Sequence, residues 1–259
     1  MADLVRYAED RGIATVTLDS PENRNALSTA LVGQLAAALE RAFAAATARA
    51  IVLTGSGSVF CSGADLREQL AANQAGQAAG PGGGGLPAII RMIRSGPKPV
   101  VARVNGHARA GGIGLIAAAD IAIAPEAATF AFSEVRIGVV PAIIAVPIME
   151  RVGRTAVSDL FLTGRQFDGK TAAAIGLIAR AVPAEDLDGA VEECVAALRL
   201  ASPAALAACK ELIRTVPSMA FEEALDWAAA FSARLFQSED AREGMAAFLG
   251  RRKPRWQAE

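Results

Sequence analysis

The sequence predicts an α/β protein in which a layered β-β-α core is followed by a helical C-terminal region. Three observations carry that expectation. Short apolar, β-branched runs alternate with helical periodicities through the first half, an order that favours parallel strands joined by right-handed crossovers. Two of those runs end in turns of glycine, alanine and serine, at 60–66 and 105–114. From about Arg154 onward, helical signals replace strand signals.

Val5 to Ala8 and Ile13 to Leu18 alternate as strands around Asp10-Arg11-Gly12, a hairpin turn by composition. Pro21 to Asn25 reads as a loop, and Ser28 as the cap of a helix reaching about Ala46, with Leu31, Leu35, Leu39 and Phe43 on one face. Ala50 to Leu53, Val100 to Val104, Ile121 to Ala124 and Thr129 to Phe132 follow as strands, with an apolar helix from Ile113 to Ala119. Gln69 to Gly85 is the one low-complexity segment; it has little to bury, so a mobile loop is expected, either a plain linker or a flap. Beyond it, Thr155 is expected to cap a helix into Phe161, and Phe167 to Gly176 to form another. Leu177 to Val182 reads as a short extended piece and Glu185 to Leu200 as a helix. Ser202-Pro203 opens a further helix with proline at an allowed first position. Phe221 to Phe236 and Glu239 to Leu249 close the chain as helices.

Composition narrows the function. Of 259 residues, 53% are hydrophobic, enough for a substantial core, while the net charge of −1 leaves no basic footprint for nucleic acid. One histidine and the three scattered cysteines Cys61, Cys194 and Cys209 argue against a zinc site and against disulfides. The polar residues Asp3, Arg6 and Glu9 leave no apolar targeting segment near the start, and no run approaches the roughly 18 apolar residues of a membrane span. The expectation is a cytoplasmic protein without metal.

The chemistry gathers in three places. Gly111-Gly112-Ile113-Gly114 lies where a strand gives way to a helix, so backbone can approach a ligand closely and the helix's first amides favour negative charge. Phe60 to Leu66, FCSGADL, is a second small-residue turn after a strand, and two such turns could aim two N–H donors at one oxygen. Ser133-Glu134-Val135 sets a carboxylate beside an apolar strand. In isolation, tight packing is the readier account of the glycines, and a solvated or salt-bridged surface position that of Glu134.

Taken in order, NRNAL (23–27), FCSGADL, NGHARAGGIG (105–114), FSEVRIGVVP (132–141) and REGMAAFLGRRKPRW (242–256) resemble the enoyl-CoA hydratase/isomerase, or crotonase, family over essentially the whole chain. The resemblance implies a crotonase-like core over 1–198 and a helical trimerisation region over 199–259. It implies an oxyanion hole made by the backbone N–H groups of Ala64 and Gly111, with Glu134 as acid–base carboxylate. Arg24, Ala26, Ser62, Ala64, Asp65 and Leu66 then fall near CoA, as does Arg251, which with Arg252 and Lys253 could reach the CoA phosphates of a neighbouring subunit. CoA arrives as part of the substrate, so no cofactor is implied. His107 reads as structural, Arg109 as a candidate partner for a substrate carboxylate, and Cys61 as packing.

One residue departs from the pattern. Two-carboxylate hydratases of this family carry a second glutamate at the position of Gly114. A mechanism with paired carboxylates around one water therefore does not carry over. What remains is hydration of a 2-enoyl thioester with Glu134 as sole acid–base group, as in a glutaconyl-type subgroup that the SEVRIGVVPAII run resembles. The alternatives are an isomerase moving a proton between C2 and C4, or an acyl-CoA binder without turnover.

Overall fold

The computed structural model describes residues 2–76 and 84–257. It is an α/β fold of two sheets and eleven α-helices among the described residues. The chain opens on β1 (Val5–Asp10) and β2 (Ile13–Leu18), an antiparallel hairpin whose two-residue turn is Arg11-Gly12. Both turn residues have positive φ (43° and 75°), the twist that suits a two-residue hairpin, so Asp10 belongs to the strand. Then come α1 (Thr29–Ala44), β3 (Ala50–Gly55), β4 (Val59–Cys61), α2 (Leu66–Gln74), α3 (Gly85–Ser95), β5 (Val100–Arg103), β6 (His107–Arg109) and α4 (Gly111–Ala118). The middle of the chain forms β7 (Ile121–Pro125), β8 (Thr129–Ala131), α5 (Ala142–Met149), α6 (Arg154–Thr163), β9 (Phe167–Asp168), α7 (Gly169–Ala174) and β10 (Arg180–Val182). Four helices end it: α8 (Leu187–Leu200), α9 (Pro203–Thr215), α10 (Phe221–Phe236) and α11 (Glu239–Leu249).

The larger sheet has the order β1-β2-β3-β5-β7-β10 and is parallel from β2 onward. β3 is buried along its whole length, as expected of a central parallel strand covered on both faces. Its alternate residues part accordingly: Ile51 and Leu53 join the main core with Leu31, Leu35 and Leu39 of α1, while Ala50 and Val52 pack with Leu187, Val191 and Val195 of α8. The smaller sheet has the order β4-β6-β8-β9, the first three strands parallel and β9 antiparallel. Packed against α3, α5 and the smaller sheet, α4 is buried at every residue.

Capping explains the helix starts that local chemistry predicts. Ser28 Oγ accepts from Leu31 N–H (3.2 Å) and Ser202 Oγ from Ala205 N–H (3.1 Å). Three boundaries differ from expectation. Asp65 caps α2 by accepting from Arg67 and Glu68 N–H groups, so a helix runs to Gln74 where a loop was expected from Gln69; residues 77–83 lie outside the described residues. Phe167 and Asp168 pair with β8, and Asp168 then caps α7 through Thr171 N–H (2.8 Å), so the helix expected from Phe167 begins at Gly169. Gly153, rather than Thr155, occupies the cap position of α6.

Helix α9 is fastened to the core by a buried charge. Lys210 Nζ donates to the carbonyls of Ile93 (3.0 Å) and Lys98 (2.9 Å) and to Asp120 Oδ2 (2.6 Å), which also accepts from Val100 N–H (2.7 Å). Burial without those partners would be prohibitive; with them, α9 is held against α3 and the start of β5. On α10, Phe231 faces inward and stacks on Trp227 with ring centroids 4.6 Å apart. Phe221, Leu225, Phe236, Phe248 and Leu249 remain exposed, Phe248 at 84%.

Candidate active site

The small sheet explains why three separated motifs meet. β4, β6 and β8 lie side by side and parallel, so their C-terminal ends share one edge. Ala64 follows β4 by three residues, Gly111 follows β6 by two and Glu134 follows β8 by three. Crevices beyond the carboxyl ends of parallel strands are where α/β proteins hold ligands.

The two small-residue turns touch. A Cβ placed on Gly63 would lie 2.8 Å from Ala110 Cβ and 3.4 Å from Gly111 N, and one on Gly111 would lie 3.7 Å from Gly63 Cα. Gly63 (φ 90°) and Ala110 (φ 46°, ψ −119°) both have positive φ, a conformation that strains an alanine. Ala110 C=O accepts from Ile113 and Gly114 N–H (2.9 and 3.2 Å), which opens α4 and leaves the Gly111 amide ahead of the helical ladder. Among the described residues, no hydrogen bond takes up the N–H of Ala64 or of Gly111. Leu27 and Leu86 form an apolar wall against Gly111, where a Cβ would meet Leu27 Cδ1 at 2.8 Å and Leu86 Cδ2 at 3.2 Å.

Glu134 sits in a short 3-10 turn, Ser133–Ile137, ended by Gly138 in the left-handed region (φ 79°). Its side chain is half-buried, and Oε2 is buried without a hydrogen-bond partner among the described residues. Burial in these surroundings pushes its carboxyl above the usual carboxylate range, opposed only by its own backbone N–H. An unpaired buried carboxylate oxygen is costly, and a catalytic role is one recognised reason for keeping one.

The other expected residues divide into scaffold and surface. Arg24, in left-handed backbone, gives its carbonyl to Ser62 N–H (3.1 Å), and Leu27 N–H donates to Gly63 C=O (2.7 Å), so the NRNAL loop is laced onto the FCSGADL turn. Ala26 is buried between them, while Ala64 is exposed beside Leu27. Asp65 is engaged as the α2 cap and accepts from Asn23 Nδ2 (2.8 Å), which holds its carboxyl below the usual range. Leu66, at the start of α2, is exposed. Arg251 is exposed after α11, and no hydrogen bond or ion pair among the described residues joins it to the turns. Arg252 is committed to both carboxylate oxygens of Glu243 (2.7 Å each).

His107 and Arg109 serve the sheet. His107 Nδ1 accepts from Thr129 N–H (3.0 Å), and Arg109 donates to the carbonyls of Ala108 (2.9 Å) and Thr129 (2.6 Å) and to Thr129 Oγ1 (2.9 Å), tying β6 to β8. The guanidinium of Arg109 is thereby engaged with the backbone of β6 and with Thr129 of β8. Cys61 is buried with its thiol pushed up to about 12, which keeps it neutral. Among the described residues, no group of three or more His, Cys, Asp and Glu is placed to hold a metal. Nor is any described helix long and apolar enough to cross a membrane.

Asn25 and Asn105 were not anticipated as positioning residues. Asn25 is fully buried: Oδ1 accepts from Ser20 N–H (2.9 Å) and Nδ2 donates to the carbonyls of Ser56, Val59 and Phe60. Asn105 Oδ1 accepts from Gly55 N–H (3.0 Å) and its Nδ2 donates to Gly57 C=O (2.9 Å). Both brace the β3–β4 connection, from which β4 leads into the Ala64 turn. An asparagine in a loop has the composition of a surface turn, so only its long-range partners reveal the role.

The chain as a whole is similar to known proteins. The family model described as enoyl-CoA hydratase/isomerase matches residues 8–259. A protein of Rhodobacter capsulatus named "Probable enoyl-CoA hydratase" is 38% identical over 259 residues, covering 96% of each chain. One of the same name from Rhizobium meliloti is 35% identical over 246 residues, covering 93% of each. Among solved structures, an enoyl-CoA hydratase of Mycobacterium smegmatis superposes with a TM-score of 0.88 at 31% identity, covering 99% of this chain and all of that one.

Proposed function

The chain belongs to the enoyl-CoA hydratase/isomerase family, and from that premise we propose that it adds water across the 2,3 double bond of an acyl-CoA thioester. The observation that carries this reading is the buried, unpaired Oε2 of Glu134, at the sheet edge shared with two turns whose amides are free. The thioester oxygen is held by the N–H groups of Ala64 and Gly111. Glu134 takes a proton from water, the hydroxide oxygen bonds to C3, and the C2–C3 π electrons move toward the thioester as an enolate. The two amides hold that charge until Glu134 returns the proton to C2, which balances the addition of one water. CoA is brought by the substrate, and the scheme calls on no metal, flavin or nicotinamide. Arg24, Ala26, Ser62, Asp65 and Leu66 border the path of the CoA chain in this reading, and the free cysteines suit a reducing cytoplasm.

Isomerisation is the second reading, favoured by Gly114: with no second carboxylate, one group shuttling a proton from C2 to C4 needs no held water. Product analysis over 2-enoyl, 3-enoyl and glutaconyl-type CoA thioesters separates them. The expected result is a 3-hydroxyacyl product from a 2-enoyl or glutaconyl-type substrate. Double-bond migration alone would establish the isomerase, and binding without any product would establish an acyl-CoA binder.

Residues 199–259 are assigned to assembly in the same proposal. The apolar groups left exposed on α10 and α11 are more than a monomer in water needs, and closed symmetry would cover them. Trimers, or trimers paired as hexamers, would bring Arg251 against a neighbour's CoA. Light scattering at micromolar concentration should give at least three times the 26.6 kDa chain mass. A mass of one chain would sink this assembly.

A further inference from the structure

Gly114 is more than the absence of a carboxylate. It lies three residues beyond Gly111 in the first turn of α4, and a Cβ there would stand 3.1 Å from Ile144 Cβ and closer still to its Cγ2. The neighbour is not free to give way. Ile144 is 3% exposed and belongs to the core formed with Ile113, Leu115 and Ile148. Three residues of helix rise about 4.5 Å, so Gly114, against which Ile144 packs, is within one turn of the Gly111 amide. The segment that delivers Ile144 also delivers Glu134: Glu134 C=O accepts from Val139 N–H (3.2 Å), and α5 begins three residues later.

We propose that Ile144 is a specificity-determining residue: it fills the place a second acid–base group would need, and with Gly114 forms an interlocked pair that confines the site to proton transfer through one carboxylate. This rests on the reading of Glu134 as the acid–base group. The physical content is exclusion. With hydrocarbon against the first turn of α4, water is activated only from the Glu134 side, and no side chain can grow from position 114 without displacing α5. A two-carboxylate site is therefore two coupled substitutions away rather than one.

The test compares Gly114→Glu, Ile144→Ala and the double variant with the wild type, by thermal melting and by the pH profile of kcat/KM. Gly114→Glu alone should melt lower by roughly 5–10 °C, the scale of an overpacked core in a chain of this size. Ile144→Ala should fold and keep a single acid limb. The double variant should recover stability beyond the sum of the two single effects and gain a second ionisation in its profile. A Gly114→Glu variant as stable as wild type would overturn the proposal, as would a double variant no more stable than Gly114→Glu. So would a stable double variant whose profile keeps one ionisation. Failure of the Glu134 reading is seen separately, as turnover surviving Glu134→Gln with the stability coupling intact.

Discussion

Glu134→Gln is expected to lower kcat by about 10²-fold or more while leaving acyl-CoA binding nearly unchanged. The amide keeps the size of the side chain and removes its basicity, so substrate positioning by backbone amides is untouched and proton transfer fails. A kcat within a few-fold of wild type would refute the assignment. The pH dependence follows from the direction of the shift. Burial raises the carboxyl above 4.5, so the base is ionised only above that raised value, and kcat/KM should fall as pH drops through it. For stability the sign is opposite. Folding penalises the ionised form, so the favourable contribution is present in full below 4.5 and is lost as pH rises through the folded value. The substitution removes a desolvated ionisable group and leaves one polar atom unpaired. The melting midpoint should accordingly stay within a few degrees of wild type while activity collapses.

Gly111→Val should separate activity from stability in another way. Valine keeps the backbone N–H, so the expected loss comes from crowding and displacement of the turn that aims it; a preorganised donor put out of reach typically costs roughly 10²–10³ in rate. The new Cβ meets Leu27 Cδ1 and Leu86 Cδ2, the far ends of two leucine side chains, of which Leu27 is buried in the core and has to repack. Overpacking of that kind costs about 1–3 kcal/mol, so the variant should fold. The measurement is kcat/KM beside a thermal melt. Wild-type turnover in the folded variant, or a complex with an acyl-CoA analogue whose carbonyl lies away from both amides, would remove Gly111 from the oxyanion hole.

How much of this site is legible in the sequence varies residue by residue. Glu134 shows in the sequence as a carboxylate beside an apolar strand, a description that a surface ion pair fits equally well. Its meaning comes from burial of Oε2 without a partner, which depends on neighbours distant in sequence. The glycines at 111, 112 and 114 show as one run, yet each answers to a different contact: Leu27 and Leu86, Cys61, and Ile144. Asn25 is the extreme case, a loop residue by composition and a fully buried hub by structure.

By itself the sequence determined whatever rests on neighbours a few residues apart. Ser28 and Ser202 cap helices because their hydroxyls reach amides three residues on, α10 and α11 keep their predicted bounds because their periodicity is local, and strands β3, β5 and β7 stand out as buried apolar runs. Tertiary structure decided the rest. β4 and β6 are three residues each, too short for any periodicity, and are strands only because parallel partners satisfy their backbone. α5 is apolar on every side, with Pro147 inside it, so no stripe marks which residue faces Gly114. The small sheet sets Ala64, Gly111 and Glu134 along one edge because parallel pairing aligns strand ends that lie tens of residues apart. That alignment is a property of hydrogen bonds between strands, and no single strand's sequence contains it.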